Sequence, residues 1–191
     1  MRPSTAARPA TPERQHLLVT CGVPFSGKST LSRALAARLG VAHVEVDALH
    51  DRRGLRPGVD PIERADWIAA YRRGYAELEA ILRDGRSAVF DAVSYRRLQR
   101  NRVRRVAERL GVPATVVLLD VSPDEARARI ERNRFIRARV SVPLEAFAEV
   151  ADHMQWPEPD EDVIRYRPAE PLADWVDRVV RPLLTPQEVP R

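Results

Sequence analysis

The chain has few cysteines, few aromatic residues and no long apolar run. Its single cysteine, Cys21, cannot form an internal disulfide, which excludes a small disulfide-stapled secreted scaffold. The longest aliphatic run, Val116 to Leu119, has four residues, whereas a membrane-spanning helix needs about 20. No apolar segment of the signal-peptide type follows the N-terminus. These absences favour a globular protein of the cytoplasm that does not span a membrane.

The length and composition indicate a single domain. The chain has 191 residues, of which 44% are apolar and 31% are charged, as in ordinary globular proteins. We expect one domain over 15–185, with a disordered tail at 1–14 and a loose tail at 186–191. The first fourteen residues are rich in Arg, Ala, Thr and Pro. A transit peptide is the alternative interpretation there, but no apolar helical face supports it.

Lysine is almost absent from this basic chain. The formal net charge is +5, and of the 32 basic residues all but Lys28 are arginine. That lysine lies in Gly22–Thr30, GVPFSGKST, which matches the G-x-x-x-x-G-K-[ST] pattern of a P-loop. A short apolar strand candidate, Leu17–Cys21, precedes the loop. A helical pattern follows over Ser29–Leu39 and ends at Gly40.

Each residue type in the loop suits a bound triphosphate. Glycines let the backbone wrap around phosphates, and the N–H groups at a helix N-terminus point at the anion. Lys28 is a compact charge that can reach the β- and γ-phosphates, and Ser29 offers a hydroxyl to Mg²⁺. A glycine-rich β–α turn without a ligand is the alternative. We predict binding of ATP and Mg²⁺ through Gly22, Pro24, Phe25, Ser26, Gly27, Lys28, Ser29 and Thr30.

The rest of the chain alternates strand and helix patterns, which predicts an α/β fold. The predicted strands are Leu17–Cys21, Val41–Val46, Ser87–Phe90, Thr115–Leu119 and Val163–Tyr166. The predicted helices after the P-loop helix are Asp60–Arg83, Tyr95–Leu110, one that opens at Ser122, Pro143–Met154 and Leu172–Leu184. The apolar stripe of the Asp60–Arg83 helix is predicted to comprise Ile68, Tyr71, Tyr75, Leu78 and Leu82.

Three predicted strands end next to an aspartate: Asp47, Asp91 and Asp120. Ligands of parallel sheets bind outside the carboxyl ends of the strands, so these carboxylates are candidates for chemistry. A carboxylate beside a triphosphate can accept the proton of an attacking hydroxyl, as we expect for Asp47. We expect Asp91 to hold Mg²⁺ directly or through water. The alternative for all three is helix or turn capping, which we favour for Asp120 because a Ser122 capping box follows it.

Several motifs together resemble the AAA-type P-loop kinases. They are the P-loop with its strand, Asp47 after the next strand, Phe90-Asp91-Ala, Leu118-Leu119-Asp120 and the Arg132-Asn133-Arg134 run. This group includes the 5′-kinase domain of phage polynucleotide kinase, the zeta-toxin kinases and many small-molecule phosphotransferases. The resemblance covers about residues 16–168. It implies an α/β P-loop NTPase fold, with a five-stranded parallel sheet of order 2-3-1-4-5 between helices and a mobile Arg-rich lid.

The resemblance also implies functions for individual residues. Asp47 is implied as the general base, and Asp91 as a residue near the acceptor or Mg²⁺. Arginines of the lid, at about 132–142, are implied to neutralise the transferring phosphoryl group, and Arg137 is the favoured one. Together with Lys28, these residues form the predicted catalytic set. The other lid candidates, which would also contact the nucleotide, are Arg132, Arg134 and Arg139.

One departure from the family pattern concerns the acceptor. Polynucleotide kinases of this group carry an arginine three residues after the base, in a D-x-x-R pattern. Here that position is His50, and arginine follows only at Arg52 and Arg53. This difference weakens the polynucleotide interpretation. We interpret His50 as a surface or substrate-loop residue, and take His50 and Arg52 as candidate acceptor contacts.

The segment from Tyr95 to Arg109 contains seven arginines and one acid. On a helical wheel Leu98, Val103, Val106 and Leu110 form the predicted buried stripe, with Arg97, Arg100 and Arg104 on the opposite side. This arginine face either follows a nucleic acid backbone or is an ordinary solvated surface, and we favour the solvated surface. Arg97 is also a candidate contact for an acidic or phosphorylated small acceptor.

The function predicted from these observations is an ATP-dependent kinase with Mg²⁺. The acceptor is expected to be a hydroxyl of a small molecule, such as a sugar, a nucleoside or an antibiotic. One alternative is a kinase for the 5′-hydroxyl of RNA or DNA, so that nucleic acid is a possible but less favoured partner. Another is a nucleotide-dependent switch with little turnover, in which Asp47 has no function as a base.

Overall fold

Five parallel strands form one sheet in the computed structural model, which describes residues 14–51, 54–55, 57, 60–137 and 143–185. The strands are β1 (Leu17–Cys21), β2 (Ala42–Glu45), β3 (Ala88–Asp91), β4 (Ala114–Leu119) and β5 (Val163–Tyr166). Their order across the sheet is β2-β3-β1-β4-β5, and each adjacent pair is parallel. The predicted fold class and strand order are therefore confirmed.

Helices cover both faces of the sheet. They are α1 (Lys28–Leu39), α2 (Val46–Asp51), α3 (Arg64–Arg83), α4 (Arg97–Glu108), α5 (Pro123–Ile136), α6 (Leu144–Asp152) and α7 (Leu172–Trp175). A π-helical turn (Val176–Val180) and a 3₁₀ turn (Arg181–Leu184) continue α7, and another 3₁₀ turn spans Pro159–Glu161. None of the described helices has the length and apolar character to cross a membrane.

Successive side chains of a strand point to opposite faces, so each strand contributes to two cores. In β1, Leu17 and Val19 pack into one core, which also contains Leu78 and Leu82 of α3. Leu18 points to the other face, where α1 and the closing helical segment provide the partners. The central strands β1, β3 and β4 are mostly apolar because both of their faces are covered.

The boundaries of several elements differ from prediction. Strand β2 ends at Glu45, so Asp47 lies in the first turn of α2 rather than at the strand end. Helix α3 begins at Arg64 and not at Asp60, because the Glu63 carbonyl accepts the first helical hydrogen bonds. The predicted closing helix is α-helical only over its first turn. Pro182 lies in its last segment and has no N–H to continue an α-helical ladder.

Three predictions about burial are wrong. Ile68 of α3 and Leu98 of α4 are 44% and 55% exposed, although both were assigned to buried stripes. Conversely, the Arg100 side chain, assigned to the solvated face of α4, is fully buried. The helical-wheel prediction that Val103 and Val106 of α4 are buried is confirmed. The error at Arg100 arises because a carboxylate from a distant segment reaches it, as described below.

The predicted tails lie almost entirely outside the described residues, at 1–13 and 186–191. Arg14 is described, and its backbone N–H donates to the carbonyl of Leu184 at 3.0 Å. The beginning and end of the described chain therefore meet at this hydrogen bond.

Candidate active site

The P-loop connects β1 to α1 at the carboxyl edge of the sheet. Gly22 and Gly27 adopt φ values of 148° and 107°, which disfavour residues with a side chain. A Cβ atom on Gly22 would lie 3.1 Å from the Ser26 hydroxyl and 3.4 Å from Leu119. The glycine at position 22 is therefore required both by its backbone angle and by the space around it.

Lys28 is the first residue of α1, and its side chain turns back into the loop. Its ammonium donates to the carbonyl of Val23 at 2.8 Å, and the residue is 9% exposed. The ammonium is thereby held at the N-terminus of a twelve-residue helix, where backbone N–H groups attract anions. This is the arrangement that binds the phosphates of a nucleotide.

A cavity of about 550 Å³ opens in front of the P-loop. It brings together most of the residues predicted from the sequence as a site: Pro24, Phe25, Gly27, Lys28, Ser29, Thr30, Asp47 and Asp91. Gly22 and Ser26 belong to the same loop but are not among its described lining residues. Arg33, Glu45 and Trp67 also line the cavity and were not singled out from the sequence.

Asp91 lies at the end of β3 in a dense polar network. Its carboxylate accepts hydrogen bonds from Thr20 Oγ1 at 3.0 Å and from Ser32 Oγ at 2.9 Å. His43 Nε2 lies 3.9 Å from the carboxylate. Burial by itself would raise the pKa of Asp91, but the nearby His43 ring, the hydrogen bond from Ser32, the charge of Lys28 and the Ser29 hydroxyl bring it below its ordinary value. Asp91 is therefore a buried, ionised carboxylate.

The oxygen donors of Ser29 and Asp91 fit a magnesium ion. Mg²⁺ prefers oxygen ligands and retains water, and Ser29 and Asp91 supply a hydroxyl and a carboxylate at one side of the cavity. A second donor group, formed by His43, Glu45 and Asp91, places its ligand atoms within 4.8 Å of one another. Within that group the Glu45 carboxylate already pairs with Arg33 at 2.7 Å.

Asp47 projects into the same cavity from the first turn of α2. Its negative charge is among the causes, after burial and Tyr75, that raise the pKa of Tyr71 on the neighbouring helix α3. The structure thus places Asp47 on the side of the cavity formed by α2 and α3, whereas Lys28 and Ser29 belong to the P-loop side. An acceptor between them would have a carboxylate on one side and the phosphate site on the other.

His50 and Arg97 do not line this cavity among the described residues. The His50 side chain is fully buried, edge-on against the Trp67 ring with the ring centroids 4.3 Å apart. Its interpretation as a surface residue is therefore wrong, because α3 packs over it. Arg97 forms ion pairs with Glu158, at 2.6 Å, and with Asp160. Arg52 lies outside the described residues.

The lid predicted at 132–142 is described only over 132–137, which comprises the end of α5 and the residue after it. Arg132, Arg134 and Arg137 are exposed and absent from the described lining of the cavity. Arg137 follows the end of α5 in a left-handed conformation, with φ of 47°. Arg139 and the rest of 138–142 lie outside the described residues.

Helix α5 does send one arginine to the P-loop, namely Arg129. Its guanidinium donates to the carbonyl of Ser26 at 2.8 Å and pairs with Glu125 at 2.6 Å. Sequence reasoning missed this residue because it lies one helical turn before the arginines that resemble the family lid. The Glu125–Arg129 spacing of four residues is the one local signal that could have drawn attention to it.

The arginine face of α4 is neither an open nucleic acid footprint nor an ordinary solvated surface. Arg97, Arg100 and Arg104 all contact the acidic segment Glu158–Glu161. Arg100 forms two hydrogen bonds with the Glu161 carboxylate, at 2.7 and 2.8 Å, and both side chains are fully buried. Arg97 and Arg100 are therefore paired with carboxylates within the chain, and Arg104 donates to the backbone carbonyl of Asp160.

A family model described as an AAA domain matches residues 17–157, which is more than half of the chain. The chain belongs to this AAA-domain family. The resemblance to AAA-type P-loop kinases indicated by the motifs is thereby confirmed. Among curated proteins, none gives a significant match to the sequence of this AAA-domain protein.

Solved structures with the same fold include nucleotide-bound proteins. A sugar kinase from Janibacter sp. HTCC2649 is 20% identical, with 91% of this chain and 99% of that chain covered and a TM-score of 0.64. The APS kinase CysC of Mycobacterium tuberculosis, in complex with AMPPNP and APS, is 18% identical over 91% and 99%, with a TM-score of 0.61. Kti12 of Chaetomium thermophilum, in complex with ADP-AlF3, is 17% identical over 89% and 100%, with a TM-score of 0.70.

Proposed function

We propose that this AAA-domain protein is an ATP-dependent kinase that transfers the γ-phosphoryl group to a hydroxyl of a small molecule. A sugar, a nucleoside or an antibiotic is the kind of acceptor we expect. The observation that carries the proposal is that one cavity is lined by the P-loop residues Lys28 and Ser29, by the ionised Asp91 and by Asp47. A site that only binds a nucleotide does not need the Asp47 carboxylate, whereas a kinase needs a base for the acceptor hydroxyl.

The chain's own residues divide the work as follows. The P-loop N–H groups and Lys28 bind the phosphates, and Lys28 stabilises the charge that spreads over the transferring group. Asp47 orients the acceptor hydroxyl and accepts its proton as the new O–P bond forms and the bond to the β-phosphate oxygen breaks. Ser29 and Asp91 would hold Mg²⁺, which would supply positive charge to offset the negative charge of the phosphates.

Two groups of arginines contribute at different points in this proposal. Arg129 supports the P-loop through the Ser26 carbonyl. Arg132, Arg134 and Arg137 are exposed on or just after α5, and we propose that one of them, with Arg137 favoured, reaches the γ-phosphate when nucleotide is bound. The similar solved structures include a sugar kinase, a gluconokinase and an APS kinase, which supports a small acceptor.

The test measures transfer of labelled γ-phosphate from ATP and Mg²⁺ to a panel of sugars, sugar acids and nucleosides. Lys28→Met should abolish transfer and also abolish the thermal stabilisation of the protein by ATP and Mg²⁺. Asp47→Asn should keep that stabilisation but slow transfer by at least about 100-fold, because the general base is lost. The matched control is Asp120→Asn, which changes an aspartate at another strand end that pairs with Arg167 at 3.0 Å.

The control variant should transfer phosphate at the native rate, since Asp120 is not among the described lining residues of the cavity. If Asp47→Asn transfers as fast as the native protein, the proposed mechanism is refuted. The native protein could be stabilised by ATP and yet transfer phosphate neither to any acceptor on the panel nor to 5′-hydroxyl oligonucleotides. That result would favour a nucleotide-dependent switch over a kinase.

A further inference from the structure

A second concave surface lies beside the catalytic cavity, between helices α3 and α4. We call it the α3–α4 groove. It has a volume of about 590 Å³. Its described lining consists of three aromatic residues, three arginines and two further side chains, with no carboxylate among them. The aromatic residues are Trp67, Tyr71 and Tyr75, and the arginines are Arg64, Arg72 and Arg102.

The groove is continuous with the catalytic cavity. Trp67 lines both, so this residue marks the boundary between them. The next aromatic residue, Tyr71, is close enough to Asp47 and Asp91 for their charges to add to burial and Tyr75 in raising its pKa. An acceptor with its hydroxyl at Asp47 would therefore extend past Trp67 into the α3–α4 groove.

The aromatic side of the groove is firmly supported. Trp67, Tyr71 and Tyr75 follow one another at four-residue spacing along α3 and so lie on one face of the helix. The Tyr71 and Tyr75 rings are 6.0 Å apart, and the Tyr75 ring stacks on Phe90 of β3 with an interplanar angle of 20°. Aromatic groups held in this way offer edges and faces to a planar ligand with little loss of side-chain freedom.

The arginine side of the groove differs from the arginine face that the acidic segment neutralises. Within the described part of the chain, Arg64, Arg72 and Arg102 form no ion pair, whereas Arg97 and Arg100 on α4 do. On α4, Arg97 and Arg100 thus pair with carboxylates of Glu158–Glu161, whereas Arg102 lies near Tyr75 and lines the groove. Among the described lining residues, the three arginines therefore give the groove a positive charge that no lining carboxylate offsets.

Aromatic rings beside arginines match the two parts of a nucleotide. Bases stack on aromatic side chains, and guanidinium groups bind phosphate oxygens with charge-assisted hydrogen bonds. We propose that the α3–α4 groove binds the base and the phosphate of a nucleotide acceptor whose free sugar hydroxyl is phosphorylated at Asp47. This rests on the proposed function and narrows its acceptor class. A small sugar acid would fit in the catalytic cavity and would not need the groove.

The experiment compares acceptors that differ in one part at a time, at saturating ATP and Mg²⁺. Adenosine 3′-monophosphate carries base, phosphate and a free 5′-hydroxyl; adenosine lacks the phosphate; gluconate lacks the base. We expect a KM for adenosine 3′-monophosphate at least about 10-fold below that for adenosine, because only the nucleotide engages the arginines. A 5′-hydroxyl triadenylate distinguishes a free nucleotide from the end of a nucleic acid strand. If its KM is lower than that of adenosine 3′-monophosphate, the groove binds the end of a strand.

Neighbouring arginines on one helix supply a matched pair of variants. Arg72 lines the α3–α4 groove, whereas Arg73 is exposed on α3 but is absent from the described lining. Arg72→Gln should raise the KM for adenosine 3′-monophosphate by about 5-fold or more, with little change in kcat and no change in the KM for adenosine. Arg73→Gln removes the same charge and should change either KM by less than about 2-fold.

The outcomes separate the two proposals. If gluconate or adenosine is phosphorylated but adenosine 3′-monophosphate and triadenylate are not preferred, the groove proposal is overturned and the kinase proposal stands. Equal effects of Arg72→Gln and Arg73→Gln also overturn it, because they would reflect only the overall charge. Loss of ATP-dependent stabilisation on Lys28→Met, measured without acceptor, tests the nucleotide site independently of the groove.

Discussion

Breaking the buried ion pair between Arg100 and Glu161 should destabilise the domain far more than breaking an exposed pair on the same helix. The Arg100 guanidinium donates to both carboxylate oxygens, at 2.7 and 2.8 Å, and to the Ser94 carbonyl at 3.0 Å. Both charged side chains are fully buried. Arg100→Met removes the guanidinium and leaves the Glu161 carboxylate buried without its partner.

The cost of leaving one charge of a buried pair without its partner is about 3–5 kcal/mol. For a domain of this size, each kcal/mol changes the melting temperature by about 2–4 °C, so we expect a decrease of roughly 6–20 °C. The penalty should also depend on pH. Burial alone would raise the pKa of Glu161, and the hydrogen bonds from Arg100 keep it below its ordinary value. Without Arg100 the carboxyl protonates more readily, so the loss should shrink as the pH falls from 7 towards 5.

The assay is urea or thermal unfolding at pH 7 and pH 5. Arg97→Met is the matched control, since Arg97 is partly exposed on the same helix and its pairs with Glu158 and Asp160 are solvent-accessible. The double variant Arg100→Met/Glu161→Leu should recover most of the stability, because no buried charge remains. A loss for Arg100→Met no larger than that for Arg97→Met, or no recovery in the double variant, would refute the reasoning.

Three further predictions concern the P-loop and pH dependence. Gly22→Ala should abolish stabilisation by ATP in a thermal-shift assay, because the new Cβ would lie 3.1 Å from Ser26 Oγ in a backbone conformation strained by about 1–3 kcal/mol. Arg129→Gln should weaken ATP binding about 10-fold, measured by calorimetry, through the lost charge-assisted hydrogen bond. Burial, with the charge of Arg14, lowers the pKa of His16 to about 4; the native protein should therefore lose about 2–3 kcal/mol of unfolding free energy between pH 6.5 and 4 that His16→Gln does not lose.

The residues that form continuous patterns were predicted well from the sequence. The P-loop, its flanking strand and helix, and the strand order implied by the family resemblance all agree with the structure. The position of Asp91 at the end of β3 and its place in the cavity also follow from the strand pattern. Apart from the strand order, these features depend on residues adjacent in the chain, whose spacing carries the necessary information.

The errors occur where a distant residue changes the environment of a local pattern. Arg100 occupies a polar position on the wheel of α4, yet Glu161, 61 residues later in the chain, pairs with it and allows its burial. His50 is polar and follows a candidate catalytic residue, yet α3 covers it with Trp67. Helical periodicity within one segment gives no information about a contact with a residue that is distant in the sequence.

By itself, the sequence determined that this protein has a P-loop on an α/β sheet, because a nucleotide loop is a short local pattern of glycine, lysine and hydroxyl residues. Only the tertiary structure decided which arginines are neutralised and which remain available. Helix α4 carries both kinds: Arg100 meets a carboxylate and is buried, while Arg102 meets Tyr75 and lines the α3–α4 groove. The difference is physical, since the cost and the use of a charge depend on the groups that surround it after folding.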